Sequence, residues 1–191
     1  CDLAKEPKDS PACVDDSVGV FVDSAGGDNN PGTQASPVQT VTKALTLAGA
    51  KPRIYICEGN YTESIDQSTS VSLFGGLACK TYSYTGKKPK FTGVKGDYVW
   101  RLTGGNGVTV EDLELDAKDG QNPSESSIAV WVANSTGVSL VRVTAVGGTA
   151  LKGADGITTN YAYPAKLMGN GADGGAGGGD LTISCPAGDM T

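Results

Sequence analysis

The sequence predicts an all-β solenoid, short strands stacked in parallel turn upon turn, fronted by one small α-helix, and three observations carry that expectation. Beyond residue 50 the apolar positions come in short β-branched runs separated by Gly, Asn, Asp and Ser, the pattern of many short strands and many turns. The 28 glycines, 2 methionines, 6% aromatics and 38% apolar content among 191 residues point to a narrow core of small aliphatics in a single domain. The chain also repeats itself: "YVWRLTGGNGVTVEDLELDA" from Tyr98 aligns without a gap on "IAVWVANSTGVSLVRVTAVG" from Ile128, an offset of 30. Gly107 falls on Gly137, Val108 on Val138, Val110 on Leu140 and Leu113 on Val143.

Both copies hold two alternating runs joined by a Gly-containing turn. Alternation at period two sends one set of side chains inward, here Tyr98, Trp100 and Leu102 over Ile128, Val130 and Val132. A looser copy, "VSLFGG" from Val71, lies 37 residues before Val108, which leaves seven inserted residues within "KTYSYTGKKPK". Another, "LTISC" from Leu181, lies 43 after Val138, and the tract "GNGADGGAGGGD" at 169–180 supplies nearly all of its thirteen extra residues. Repeats of this size mean solenoids, propellers or arrays. Helical repeats fail because each unit is strand-like, leucine-rich repeats because their Leu/Asn frame is absent, and propellers because a blade needs about 40 residues. A parallel column remains, its turns about 4.8 Å apart and its strand edges exposed at both ends.

Taken in order, residues 1–17 form an N-terminal segment with Cys1, Pro7, Pro11 and Cys13. Residues 18–50 carry the strand "VGVFV", the turn "GGDNNPGT" and a short helix in "TVTKALTLAGA". There Val41, Ala44, Leu45 and Ala48 stand at i, i+3, i+4 and i+7, so one apolar stripe can bury the open end of the column and screen its strand edge. Residues 51–191 supply the turns of the column, with 169–180 as a Gly-rich surface excursion.

"VGVFVDSAGGDNNPGTQASPVQTVTKALTLA" followed by "PRIYICEGNYTESI" resembles the start of the right-handed parallel β-helix domains of the pectin-lyase-like superfamily. The likeness is to the uncharacterised bacterial secreted or surface type that opens with a Gly-Asp/Asn-Pro-Gly-Thr turn and a capping helix. It is specific over residues 18–65 and generic over 66–185. The resemblance implies a right-handed parallel β-helix of four or five coils, and leaves activity open because that scaffold serves lyases, hydrolases, adhesins and modules without chemistry.

A net charge of −6 argues against nucleic acid and anionic membrane surfaces, and no apolar run approaches the roughly 20 residues of a membrane span. The one basic cluster, Lys87, Lys88 and Lys90, reads as a solvated turn. Five cysteines without CxxC spacing and no histidine leave a zinc or haem site little to build on, so disulfides in an oxidising compartment are the better account. Cys1 is either a lipid-bearing residue left by lipoprotein processing or one half of a bridge to Cys13. Cys57 and Cys79 sit on adjacent turns, where a bridge between them is natural. Cys185 is left over, on the last strand, as an intermolecular thiol or the junction to further chain.

For chemistry, the densest acidic group is Glu111, Asp112, Glu114 and Asp116, and the repeat sets Asp112 over Arg142 as an outward ion pair between turns. Asp15 and Asp16 fall in the leader, and Lys118, the nearest candidate base, falls in a turn. Arg101 lies over Trp131, an outward cation and indole stack or a carbohydrate platform. Asp28, Asn29 and Asn30 could chelate calcium, or hold the turn by Asx hydrogen bonds; no other cofactor is expected. Asn60 and Asn134 open glycosylation sequons. No catalytic residue is assigned. The expected function is that of a non-catalytic secreted or cell-surface module, self-associating end to end or continuing into a larger surface protein. The alternative is a polysaccharide-binding or polysaccharide-cleaving protein using the acidic face.

Overall fold

A computed structural model describes residues 1–94, 97–154 and 156. The elements below all lie in the compact unit Cys1–Ala154. Leu181, Cys185 and the excursion at 169–180 fall outside the described residues.

The chain is mostly β, with parallel sheets and one α-helix. Sheet 1 holds β1 (Gly19–Val22), β2 (Arg53–Cys57), β5 (Ser72–Leu77), β8 (Thr109–Glu111) and β11 (Ser139–Val141) in that order. Sheet 2 holds β3 (Asn60–Thr62), β6 (Lys90–Thr92), β9 (Glu114–Asp116) and β12 (Thr144–Val146). Sheet 3 holds β4 (Ile65–Gln67), β7 (Tyr98–Thr103) and β10 (Ile128–Ala133). From β2 onward the chain visits sheets 1, 2 and 3 in turn, and each strand pairs in parallel with its counterpart one round later.

The internal repeat reads this pairing directly. Tyr98 pairs with Ile128, Trp100 with Val130, Arg101 with Trp131 and Leu102 with Val132. Val110 pairs with Leu140 at the same offset, and Leu73 with Val110 at the longer one. The longer offset arises mainly where β5 and β6 are joined by residues 78–89 whereas β8 and β9 are joined by 112–113 alone.

Inside the rounds, Ile54, Ile56, Ile65, Leu73, Phe91, Trp100, Leu102, Val110 and Leu115 form one continuous apolar cluster. One expectation fails here. Val99, rather than Tyr98, joins Trp100 and Leu102 in that cluster, while the Tyr98 hydroxyl donates to Asp66 at 2.5 Å. Tyr98 is buried against its neighbours but turned toward the polar side, because its phenol needs an acceptor that the aliphatic interior lacks.

The helix α1 (Val41–Ala48) covers the first strands. Val41, Ala44 and Ala48 are buried and Leu45 packs on the cluster, as its spacing requires, and α1 touches β1, β2 and β4. Thr40 caps it by accepting from Lys43 N, and the buried Glu63 accepts from Val41 N at 2.8 Å, Thr42 N at 3.1 Å and Thr42 Oγ1 at 3.0 Å. Among the described residues no helix is long and apolar enough to cross a membrane.

Candidate functional site

Across β1, β2 and β5, sheet 1 is buried on both faces. Its inner residues join the central cluster, and its outer residues Phe21, Tyr55, Phe74 and Leu77 form a second one with Tyr82. Phe21 packs edge-on to Tyr82 at 4.7 Å and tilts against Tyr55 at 5.2 Å. Apolar side chains alternating to both faces demand a cover on each side. Residues 78–89 and the N-terminal segment supply the outer one.

Two bridges fix those covers. Cys1 is bonded to Cys13, one of the two roles open to it, and Cys57 to Cys79, as their places on adjacent turns suggest. The N-terminal segment is then held to sheet 1 by Tyr55, whose hydroxyl donates to Cys13 O, and by Arg53, whose Nη2 donates to Leu3 O at 2.7 Å and Lys5 O at 2.8 Å. The Arg53 guanidinium also lies 4.7 Å above the Phe74 ring.

Beneath the segment is a cavity of about 260 Å³ lined by Leu3, Glu6, Arg53, Ser72, Phe74 and Glu111. Glu111 is buried, and desolvation, with the Glu6 charge adding to it and Arg142 opposing, pushes its carboxyl up to about 7. Arg142 is the hub. It donates to Asp112 through Nε at 2.8 Å and Nη2 at 2.9 Å, to Glu6 at 2.9 Å, and lies 3.6 Å from Glu111. Hydrogen bonds from Arg142 and Lys8 hold the Glu6 carboxyl below its ordinary range.

Asp112 thus lies under Arg142, as the repeat implies, both at positive φ of about 50° in the tight corners after β8 and β11. One round earlier the equivalent positions are Gly75 and Gly76, inside β5 where its register against β2 shifts. A Cβ on Gly75 would stand 2.4 Å from Asp112 O, and Gly76 has φ 71° beneath the Asp112 side chain, so neither position accepts a side chain without movement.

The four acids expected to form one face are divided between two sheets. Glu111 and Asp112 belong to sheet 1 and its corner, whereas Glu114 and Asp116 stand on sheet 2, where Lys90 meets them at 3.0 and 2.9 Å. Asp112 and Leu113 carry the chain around the corner between β8 and β9, which separates the pairs. The basic cluster is correspondingly not one solvated turn: Lys90 is on β6, and Lys87 pairs with Glu58 at 3.4 Å.

The stack expected between Arg101 and Trp131 also takes another form. The strand register sets the two side by side, but the Arg101 guanidinium lies 4.5 Å over Tyr98 and pairs with Asp66 at 2.6 Å, which leaves Trp131 45% exposed. The anionic partner on the preceding strand outcompetes the indole face for the charge. Asp28 is fully engaged, accepting from Gln39 N, Thr40 N and Thr40 Oγ1, and Asn30 donates to Pro37 O. Asp28 and Asn30 therefore hold this turn by side-chain hydrogen bonds. Among the described residues one group brings three ligand atoms together, Asp23, Cys57 and Cys79, and its two sulfurs are bonded to each other.

As chemistry, the cavity offers one carboxyl poised near neutrality. Glycoside cleavage needs a second carboxylate across the bond to be cut. Here Glu6 and Asp112 are both held by Arg142, and Glu6 by Lys8 at 2.8 Å as well. Neither Arg53 nor Glu6 stood out in the sequence. An arginine at the head of the otherwise apolar "RIYIC" was the available signal for the first, while nothing local marks the second.

Fold and site together define a mostly β protein of parallel sheets in which several outward charges pair between rounds. The family model described as "Protein of unknown function (DUF1565)" matches residues 24–160, and the chain belongs to that family. No curated protein matches the chain, and neither does any solved structure.

Proposed function

We propose that the chain is a right-handed parallel β-helix of the pectin-lyase-like kind, acting outside the cell as a non-catalytic structural or interaction module. Its family is often associated with parallel β-helix proteins, and the repeating three-sheet circuit supports that architecture. The observation that carries the functional reading is the pairing of the outward acids. Asp66 is matched by Arg101, Asp112 by Arg142, and Glu114 and Asp116 by Lys90. Such an arrangement stabilises adjacent rounds and leaves few carboxylates for acid–base work. Two disulfides support a secreted or surface location. Assembly end to end through Cys185, or continuation into a longer surface protein, belongs to the same reading.

Electrophoresis with and without reductant, alongside negative-stain microscopy, tests it. Long particles or covalent ladders weakened by Cys185→Ser support assembly, and a clean monomer with a free thiol removes it.

A second reading, carbohydrate binding, is favoured by the exposed Trp131 beside the Arg101–Asp66 pair. Screening acidic and neutral polysaccharides with and without calcium checks it. Binding lost in Trp131→Ala at unchanged melting temperature supports the platform, and binding retained in that variant excludes it.

A further inference from the structure

The segment 1–17 crosses the outer face of sheet 1 over two groups that fare poorly there. Arg53 is 4% exposed and its Nη1 finds no acceptor among the described residues. Glu111 is equally buried, and its ion pair with Arg142 is long, 3.6 Å. Both gain hydration if the segment lifts. Closure is held instead by the carbonyls of Leu3 and Lys5 on Arg53, by Tyr55 on Cys13, and by Glu6 on Arg142. The Cys1–Cys13 bridge makes the segment a looped unit that can move without unravelling.

We propose that residues 1–17 form a pH-sensitive strap, closed over sheet 1 while Glu111 is protonated and released from it when Glu111 ionises. The groups facing Glu111 are Glu6 and Lys8 from the strap, Asp112 and Arg142 from the corners, and Arg53 and Lys5 around the cavity. The arginines and lysines keep their charge across the neutral range. An ionised Glu111 adds a desolvated negative charge next to Glu6, and lifting the strap relieves it.

The direction follows from linkage. With the strap closed the Glu111 carboxyl stands at about 7, and in water it stands at its ordinary value of 4.5. Closure is therefore fully supported below the ordinary value and loses support as pH climbs toward 7. Glu6 acts oppositely: its lowered carboxyl supports closure above the ordinary range and ceases to as pH falls through the lowered value. The strap is tightest in mildly acidic solution.

Proton exchange on the disulfide-intact chain, read by NMR at the Arg53 Nη2–H and the Tyr55 O–H that donate to strap carbonyls, tests this. Protection factors, corrected for intrinsic exchange, are expected to fall at least about tenfold between pH 5 and pH 8, the size of a one-unit difference in proton affinity. In Glu111→Gln the fall should nearly vanish. A merely structural role for Glu111 changes protection equally at both pH values. A carbon-13 titration of the Glu111 carboxyl in the unaltered protein needs no variant and should show a midpoint near neutrality. Equal protection at the two pH values, the same fall in Glu111→Gln, or an ordinary carboxyl midpoint overturns the proposal.

Discussion

At the scale of single residues, Arg142 carries more of the surface than its exposed position suggests. Its guanidinium meets Asp112, which is 3% exposed, together with Glu6 and Glu111. Removing it leaves buried negative charge without compensation, a change that costs about 3–5 kcal/mol when both partners are buried. The Arg142 side chain is 35% exposed, so water and the remaining Lys8 soften the loss. Arg142→Ala is expected to destabilise the protein by about 1–3 kcal/mol, read from the denaturant midpoint. Asp112→Asn should lose less, because the amide keeps one acceptor for Nε and removes the charge that most needs its partner.

At the scale of elements, α1 depends on a residue outside itself. Its eight residues are too few to persist alone, and Glu63, fifteen positions after its end, answers two of its first N–H groups. Burial pushes the Glu63 carboxyl up, and the hydrogen bonds from Val41 and Thr42 work against that shift. Glu63→Ala is expected to cost about 1–2 kcal/mol and to loosen the helix first, seen as faster exchange at Ala44 and Leu45 than at Ile54. The helix itself was legible, since the stripe from Val41 to Ala48 has a period that strands cannot share. The sheet register was legible too, because Tyr98 and Ile128 open copies without a gap. Three features were not. Sheet 1 alternates apolar side chains to both faces, so "RIYIC" and "SLFGGL" carry no polar phase to announce the outer cluster. The corner between β8 and β9 divides an acidic run that looks continuous in one dimension. Arg101 chooses between two neighbours, Asp66 and Trp131, on a difference in charge that a pairwise alignment of rounds does not rank.

At the scale of the molecule, stacked rounds are joined by strand pairing and by one covalent tie. Cys57 ends β2 and Cys79 follows β5, so their bridge spans adjacent strands of sheet 1 and also pins residues 78–89 across the outer cluster. Closing a loop of 22 residues removes chain entropy from the unfolded state worth about 3 kcal/mol. Cys1–Cys13 closes a smaller loop of 12 within the strap, where most of the contacts it organises are with the outer face of sheet 1 alone. The two bridges should therefore separate on mutation. Cys57→Ser with Cys79→Ser is expected to lower the melting temperature by about 6–12 °C, at 2–4 °C per kcal/mol for a domain of this size. Cys1→Ser with Cys13→Ser should lower it less and instead release the strap, raising exchange at Ser10 and Val14 while Leu73 and Val110 keep their protection. If both pairs shift the melting temperature equally and leave the strap amides unchanged, the N-terminal segment is an integral part of the core and not a cover laid upon it.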